Sequence, residues 1–585
     1  MSNIMKDPDI QDLDVTATIR IKSIYKILFI CFVALGLYYP SIFSQFNSID
    51  DLRLISYLED TDSTFVQIFR PGEGHYYRPV IWLTFFFDKY VWGLEPSFMH
   101  LENVLIHLFN SVLIYLIANR ITGVDEKRIE LPLFAALLFA VHPINTEGVC
   151  WVAGRTDPLA AFFVLVAAYT LVLPGWRENR ALLLLPAGSI FLGGLSKEVA
   201  FFFFPVAYVA TFNCSYSREY KFPPVSELIR NFIPFGFFAI LYLYLRQAGL
   251  PVEDKSVSIL LTHKAGYLQM LVTALKTFGF YVKKLFLPLP LNFAIVSYSD
   301  RYVWFSIAVI FFLSWAIWKK RGYYTALAGA FFLIIPAVLV AVKPMAWTPV
   351  AERYLYAPAA LFTIALIGII FQLFKTAALE RFLPILLVVI IIMSAVVTVK
   401  RNLVWQDNYL LFSDAVAQSP DFARIRNELG IALALRGESK EASRHFEQGK
   451  QMDKNYILPT INLANIKFRE GNNVEAVKIL EKTYKEKKNA DLQILKMLAR
   501  VNEKNLAARK NKSESKKIYM DLIETYQYIY TKEKEPYVAY RVGQLLLLQG
   551  ESSKAARYFE AAYNGAADGD YFKLAAKKLA DKYRN

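Results

Sequence analysis

Two adjacent carboxylates, Asp50-Asp51, stand a few residues past the first long apolar run. At a membrane surface, low dielectric and mutual repulsion raise at least one carboxyl pKa. That suits a general base for a hydroxyl whose other reactant is lipid-bound. The plainer reading has the pair capping a helix that begins at Leu52. Further ionisable and aromatic groups gather in the segments between apolar runs. They are His75, Tyr77 and Arg78; His142, Glu147, Arg155 and Asp157; Lys197-Glu198; and Lys343 with Glu352, Arg353, Tyr354 and Tyr356. Cations converging on one interface stabilise negative charge as it develops on a phosphate leaving group. Snorkelling explains any one of these side chains. It explains the set less well, because Lys197-Glu198 and Glu352-Arg353 are adjacent opposite charges that lipid headgroups do not require.

His100, Asn103, His107 and Asn110 follow the 3-4-3 spacing of one helix face. A polar stripe on an apolar span turns into the bundle, since facing lipid is costly. His at i and i+7 with only Asn between is poor metal-ligand chemistry, so the stripe reads as hydrogen-bonded packing, with no metal. Cys31, Cys150 and Cys214 show no paired or metal-ligand spacing, which argues against a disulfide framework and a zinc finger.

The elements that must position these groups follow from composition. The 585 residues are 55% apolar and only 20% charged, with mean hydropathy +0.30. So many apolar runs have no place in a soluble chain, and an all-α, polytopic membrane protein is expected. The net charge of +15 fits flanks that face anionic lipid plus a basic outer domain. With no arginine-rich recognition helix, nucleic acid is not an expected partner.

Apolar runs predict about eleven spans, at 26–45, 100–118, 131–147, 156–173, 181–195, 199–213, 230–246, 302–318, 323–343, 355–373 and 381–398. Lys197-Glu198 at the middle of 181–213 favours a tight helical hairpin. Residues 266–287 are apolar yet hold Lys276, Lys283 and Lys284, which suits a partly embedded or surface-lying helix. Tyr38-Tyr39-Pro40 follows the first run in place of a small-residue cleavage site, so that run reads as an anchor. Basic clusters at Arg20, Lys22 and Lys26, at Arg120, Lys127 and Arg128, at Arg177 and Arg180, and at 319–321 place the N-terminus in the cytoplasm. Eleven crossings then put the large first loop 46–99, the other site-bearing loops and the C-terminal region outside. The expected organisation is a cytoplasmic tail 1–25, a membrane domain 26–400, a linker 401–420 and an outer domain 421–585.

That outer domain repeats weakly. Leu429-Gly430, Ala442 and Phe446 recur 34 residues later as Leu463-Ala464, Ala476 and Leu480, and again as Val542-Gly543, Ala555 and Phe559. This is tetratricopeptide spacing, with small residues where paired helices cross and larger ones where pairs stack. It predicts a superhelix whose groove holds a peptide or protein, or one that braces the membrane domain.

The order of motifs resembles the transmembrane and tetratricopeptide repeat O-mannosyltransferases, in the bacterial lineage of that family. The pieces are Asp50-Asp51, Tyr77-Arg78-Pro79, Trp92-Gly93-Leu94, His100-Leu101-Glu102-Asn103, His142-Pro143 with Glu147, Gly154-Arg155-Thr156-Asp157, Ser196-Lys197-Glu198 and Ala351-Glu352-Arg353-Tyr354-Leu355-Tyr356. The resemblance implies a membrane bundle of the GT-C type and a polyprenyl-phosphate sugar as donor. It implies Asp50, with Asp51 as the alternative, as the catalytic carboxylate. Arg78, Arg155, Lys197 and Arg353 fall to the phosphate side, while Glu147 and Glu352 orient those cations or bind acceptor hydroxyls. Tyr354, His75, Tyr77, His100, Asn103, His142, Asp157 and Glu198 are further candidates. The implied reaction is inverting and metal-independent, with no cofactor, moving the sugar to a Ser or Thr of an extracytoplasmic protein held by the repeats. The implied location is the bacterial inner membrane, with the repeats periplasmic. Competing readings are transfer to a lipid or surface polysaccharide, a non-enzymatic scaffold whose repeats bind envelope proteins, and, fitting poorly, a transporter.

Overall fold

The computed structural model describes residues 8–60, 65–69, 77–122, 130–213, 224–249, 266–320, 323–343, 348–374, 377–486, 491–508, 512–566 and 570–584. Among the described residues it is 84% helical with no strands, only an antiparallel bridge between Ile295 and Val350. The chain divides into two compact units, Met1–Ser419 and Pro420–Asn585.

In the first unit, seven helices among the described residues are long and apolar enough to cross a membrane, or eight if a bent pair counts as one span. Three shorter apolar helices, Arg180–Gly194, Glu198–Thr211 and Tyr302–Trp318, occupy other expected positions. The bent pair is where 131–147 was expected to run straight. Leu131–Ala140 stops, and the chain resumes at Pro143–Cys150 with a bend of 44°. Pro143 has no N–H to donate and forces His142 out of the helical region, to φ −67° and ψ 120°. The break carries Glu147 into the interior.

The hairpin expected around Lys197 forms. Leu184–Gly194 is followed by a turn and a 3₁₀ segment, Glu198–Phe202, with Lys197 in extended backbone at φ −159°. A Cβ on Gly194 would lie 2.1 Å from the ring of Phe201, so only glycine lets the two arms close. Tyr267–Phe286 forms an amphipathic helix. Tyr267, Leu268 and Leu271 are exposed, while Phe280, Tyr281 and Lys284 are buried.

The expected loop 46–99 is largely helical, with Asp51–Asp60, Phe65–Phe69 and Pro79–Phe87 leading into Pro96–Thr122. The expected linker 401–420 is also folded. Ala377–Trp405 runs into it, and Asn408–Gln418 docks back through Arg401–Asp414 at 2.5 Å and Gln418 Nε2 donating to Leu291 O at 2.7 Å. Phe412 on this helix is fully buried.

The second unit consists of antiparallel helix pairs: Ala423–Leu435 with Ser439–Met452, Leu458–Arg469 with Asn473–Glu486, Leu492–Ala508 with Lys512–Glu533, and Pro536–Leu548 with Ser552–Gly565. Lys573–Tyr583 follows. The small residues sit at the crossings as expected. A Cβ on Gly430 would lie 2.5 Å from Phe446, and one on Gly543 would lie 2.7 Å from Phe559. The pair-internal turns use Gly437, Gly471 and Gly550 in left-handed backbone. The third pair is longer, with helices of 17 and 22 residues, which interrupts the 34-residue period.

Candidate active site

The two adjacent aspartates have different surroundings. Asp51 is fully buried. One carboxylate oxygen accepts the N–H of Asn47 at 2.9 Å and the other accepts the N–H of Ala153 at 2.8 Å. It therefore stitches the start of the first loop to the turn that carries Arg155. Burial pushes its carboxyl up to about 7 against those two donors, and the neighbouring Asp50 charge adds to the rise. Asp50 is half-buried, and among the described residues nothing donates a hydrogen bond to its carboxylate. Burial raises its pKa, and the Arg353 guanidinium, followed by Arg53, pulls it back. The Arg353 influence places the first-loop carboxylate in the field of a cation three hundred residues away in sequence.

Arg353 is held by Glu147. Its Nη1 donates to Glu147 Oε1, and its backbone N–H donates to Glu147 Oε2 at 3.1 Å. The guanidinium lies 5.0 Å above the ring of Trp151 and 4.9 Å from that of Tyr354. Lys197 donates to Asp157 at 2.6 Å and stands 5.1 Å from the same Tyr354 ring. Burial lowers the Lys197 pKa, Asp157 opposes that, and Arg353 and Arg78 lower it further. Those two influences bring the three cations into one group. Arg78 completes it, gripping Glu198 through Nε at 3.0 and 3.2 Å and Nη2 at 2.6 Å. Lys197 and Arg353 thus meet at Tyr354, each with its own carboxylate, and the Arg78–Glu198 pair acts on Lys197 from beside them. Such an arrangement can accept a proton at Asp50 and stabilise negative charge beside it.

No family model matches the sequence. The protein O-mannosyl-transferase F38B6.6 of Caenorhabditis elegans is 24% identical over 387 residues, covering 65% of this chain and 54% of the relative. Human TMTC3, also a protein O-mannosyl-transferase, is 25% identical over 458 residues, covering 72% of this chain and 49% of the relative. Human TMTC1 is 39% identical over 92 residues, 16% of this chain and 10% of the relative. The chain is a relative of the TMTC protein O-mannosyltransferases. It spans about half the length of the relatives it matches most extensively. A tetratricopeptide repeat protein from Parabacteroides merdae is 14% identical at a TM-score of 0.22, covering 53% of this chain and all of that one; a likeness this slight carries no argument.

In this TMTC relative some expected site residues have other work. Arg155 is fully buried, and all three guanidinium nitrogens are engaged. Nε donates to Asn103 Oδ1 at 2.7 Å, Nη1 to Asp88 Oδ2 at 2.6 Å with Glu102 at 3.0 Å, and Nη2 to Met99 O at 2.9 Å. The expectation that Arg155 faces a phosphate is therefore corrected: a group with no exposed surface and no spare nitrogen is part of the wall. Glu352 orients Lys284 at 2.6 Å and accepts the Asn292 N–H at 3.0 Å, so its expected role toward the other cations is corrected too. Asn103 also donates to Val149 O and Trp151 O. His142 bridges Leu285 O and the Ile144 N–H, and His100 is buried. His107 meets Tyr356 Oη at 2.7 Å and Ala140 O at 3.1 Å, as a packing residue should. Tyr77 donates to Phe69 O at 3.0 Å, and His75 lies outside the described residues. Sequence reasoning missed Trp151 beneath Arg353, and Asp88 with Glu102 as the partners of Arg155. It noted Lys284 only as an awkward lysine in an apolar helix, and that misfit was the available signal of a buried ion pair.

Proposed function

We propose that this protein is a membrane glycosyltransferase that moves a sugar from a polyprenyl-phosphate carrier to a Ser or Thr hydroxyl of a protein, on the non-cytoplasmic face. Mannose is the sugar in the names of its relatives. The observation that carries the reading is Asp50. It is a half-buried carboxylate with a raised pKa and no hydrogen-bond donor among the described residues, and it sits in the field of Arg353, which acts in turn on Lys197, as Arg78 does. Asp51, spent on two backbone amides, is its anchor.

In the proposed step Asp50 takes the proton of the acceptor hydroxyl as its oxygen bonds to the anomeric carbon. The bond from that carbon to the phosphate oxygen breaks, and polyprenyl phosphate leaves. A single displacement with no glycosyl-enzyme intermediate inverts the configuration. Arg353, Lys197 and Arg78 stabilise the phosphate charge, with Glu147 and Asp157 positioning the first two. A monophosphate leaving group needs less counter-charge than a pyrophosphate, so these side chains serve without a divalent ion. The helix pairs of the second unit are the proposed seat of the acceptor protein.

The test is transfer from a labelled short-chain polyprenyl-phosphate sugar to Ser/Thr peptides by the purified full chain in lipid nanodiscs. Transfer that Asp50→Asn abolishes supports the reading. A wild-type protein that transfers nothing favours the scaffold reading instead, and transfer that survives both Asp50→Asn and Asp51→Asn overturns the carboxylate as the base.

A further inference from the structure

Every cation of the group around Tyr354 already has a carboxylate. Arg78 pairs with Glu198, Lys197 with Asp157 and Arg353 with Glu147, while Asp50 adds a further acid near Arg353. Among these seven side chains the carboxylates outnumber the cations. An incoming phosphate finds each of these three cations already paired, so binding to one of them means that its carboxylate gives way.

Three observations single out Glu198. First, water reaches its pair best. The Arg78 and Glu198 side chains are 20% and 23% exposed, against 10% and 6% for Lys197 and Asp157 and 10% and 2% for Arg353 and Glu147. A carboxylate that leaves a cation must be resolvated, and this pair is the most exposed of the three. Second, Glu147 is held twice, by the guanidinium and by the buried backbone N–H of Arg353. Its departure would orphan that amide. Third, Arg78 holds Glu198 through Nε and Nη2 together. This edge of a guanidinium fits two phosphate oxygens as well as two carboxylate oxygens.

We propose that Glu198 occupies, on Arg78, the seat of a phosphate, and that the headgroup of a prenyl phosphate binds by displacing it. The proposal rests on the polyprenyl-phosphate reading above and adds a rule for the resting state: the site carries its own surrogate anion. Displacement frees Arg78 beside Lys197, whose field it shares. When the leaving group departs, Glu198 returns to Arg78 and opposes rebinding.

Binding tests this without requiring turnover. The full chain in zwitterionic nanodiscs is titrated with farnesyl phosphate and, separately, with inorganic phosphate. Glu198→Gln is expected to bind farnesyl phosphate about tenfold more tightly than wild type, because Arg78 no longer has to surrender a partner. The gain is expected to vanish in the Arg78→Gln/Glu198→Gln double variant. A folded Glu198→Gln protein that binds farnesyl phosphate no better than wild type overturns the proposal. A gain confined to inorganic phosphate overturns the lipid headgroup as the occupant. Should Glu198→Gln fail to fold, Glu198→Asp withdraws the carboxylate by one methylene. It is expected to gain about threefold, and an unchanged affinity overturns the proposal. Failure of wild type and all variants to bind farnesyl phosphate sinks the donor reading and the proposal together. Tight, Glu198-limited binding without peptide glycosylation leaves the proposal standing and sinks only the transferase reading.

Discussion

The knot around Arg155 and the group around Tyr354 are built from the same residue types and differ in what they leave unfinished. In the knot one guanidinium is enclosed by Asp88, Glu102, Asn103 and the Met99 carbonyl, with no exposed surface. At Tyr354 two cations, with Arg78 acting from beside them, share a partly exposed space, and no donor among the described residues reaches the Asp50 carboxylate. A closed network fixes geometry, whereas a group with one unclaimed carboxylate can still change its protonation and partners. Ionisable residues near a membrane edge thus mark two kinds of place, separated by how fully their cations are enclosed.

Substitutions should split the two regions cleanly. The largest effect is expected from Asp50→Asn, which should lower sugar transfer about a thousandfold while thermal unfolding in nanodiscs stays near wild type. Arg155→Met should do the reverse. It strands Asp88 and Glu102 in the interior, a loss of about 3–5 kcal/mol, seen as a lower melting temperature and poor recovery of folded protein. Equal loss of folding in both variants would erase the distinction.

The pH dependence sharpens the same contrast at the two aspartates. A base must be ionised to work, so transfer should fall as pH drops through the raised Asp50 pKa, with an acid limb above the ordinary carboxylate range. Asp51 acts on stability. Its folded pKa of about 7 lies above the value near 3.9 of an unfolded chain. Its contribution is therefore fully present below about pH 4 and is lost as pH rises through about 7. Melting temperature measured across that window should show the decline, and Asp51→Asn should flatten it. The smallest effect is expected in the second unit. Gly430→Ala puts a Cβ against Phe446 and should cost about 1–3 kcal/mol in that unit, with prenyl-phosphate binding unchanged.

Much of the fold was legible because hydropathy and small-residue spacing report burial directly. The expected apolar segments coincide with the long and shorter apolar helices, and Gly430 and Gly543 lie at the helix crossings. Less legible was the path of the chain between spans. Pro143 breaks a run that looks continuous by composition, and 401–419 folds where mixed polarity suggested a linker. Site residues were readable by type and unreadable by partner. Arg155, Lys197 and Arg353 look alike in sequence, and only long-range packing distributes Asp88, Asp157 and Glu147 among them. Asp50 and Asp51 were equivalent until the Asn47 and Ala153 amides chose one of them.

Beneath Arg353 and beside Lys197 lie aromatic faces, Trp151 and Tyr354. A π surface attracts a cation over a broad area with no fixed docking point. Here Glu147 and Asp157 fix the two cations sideways, so the rings add attraction from below without competing for the geometry that the carboxylates impose.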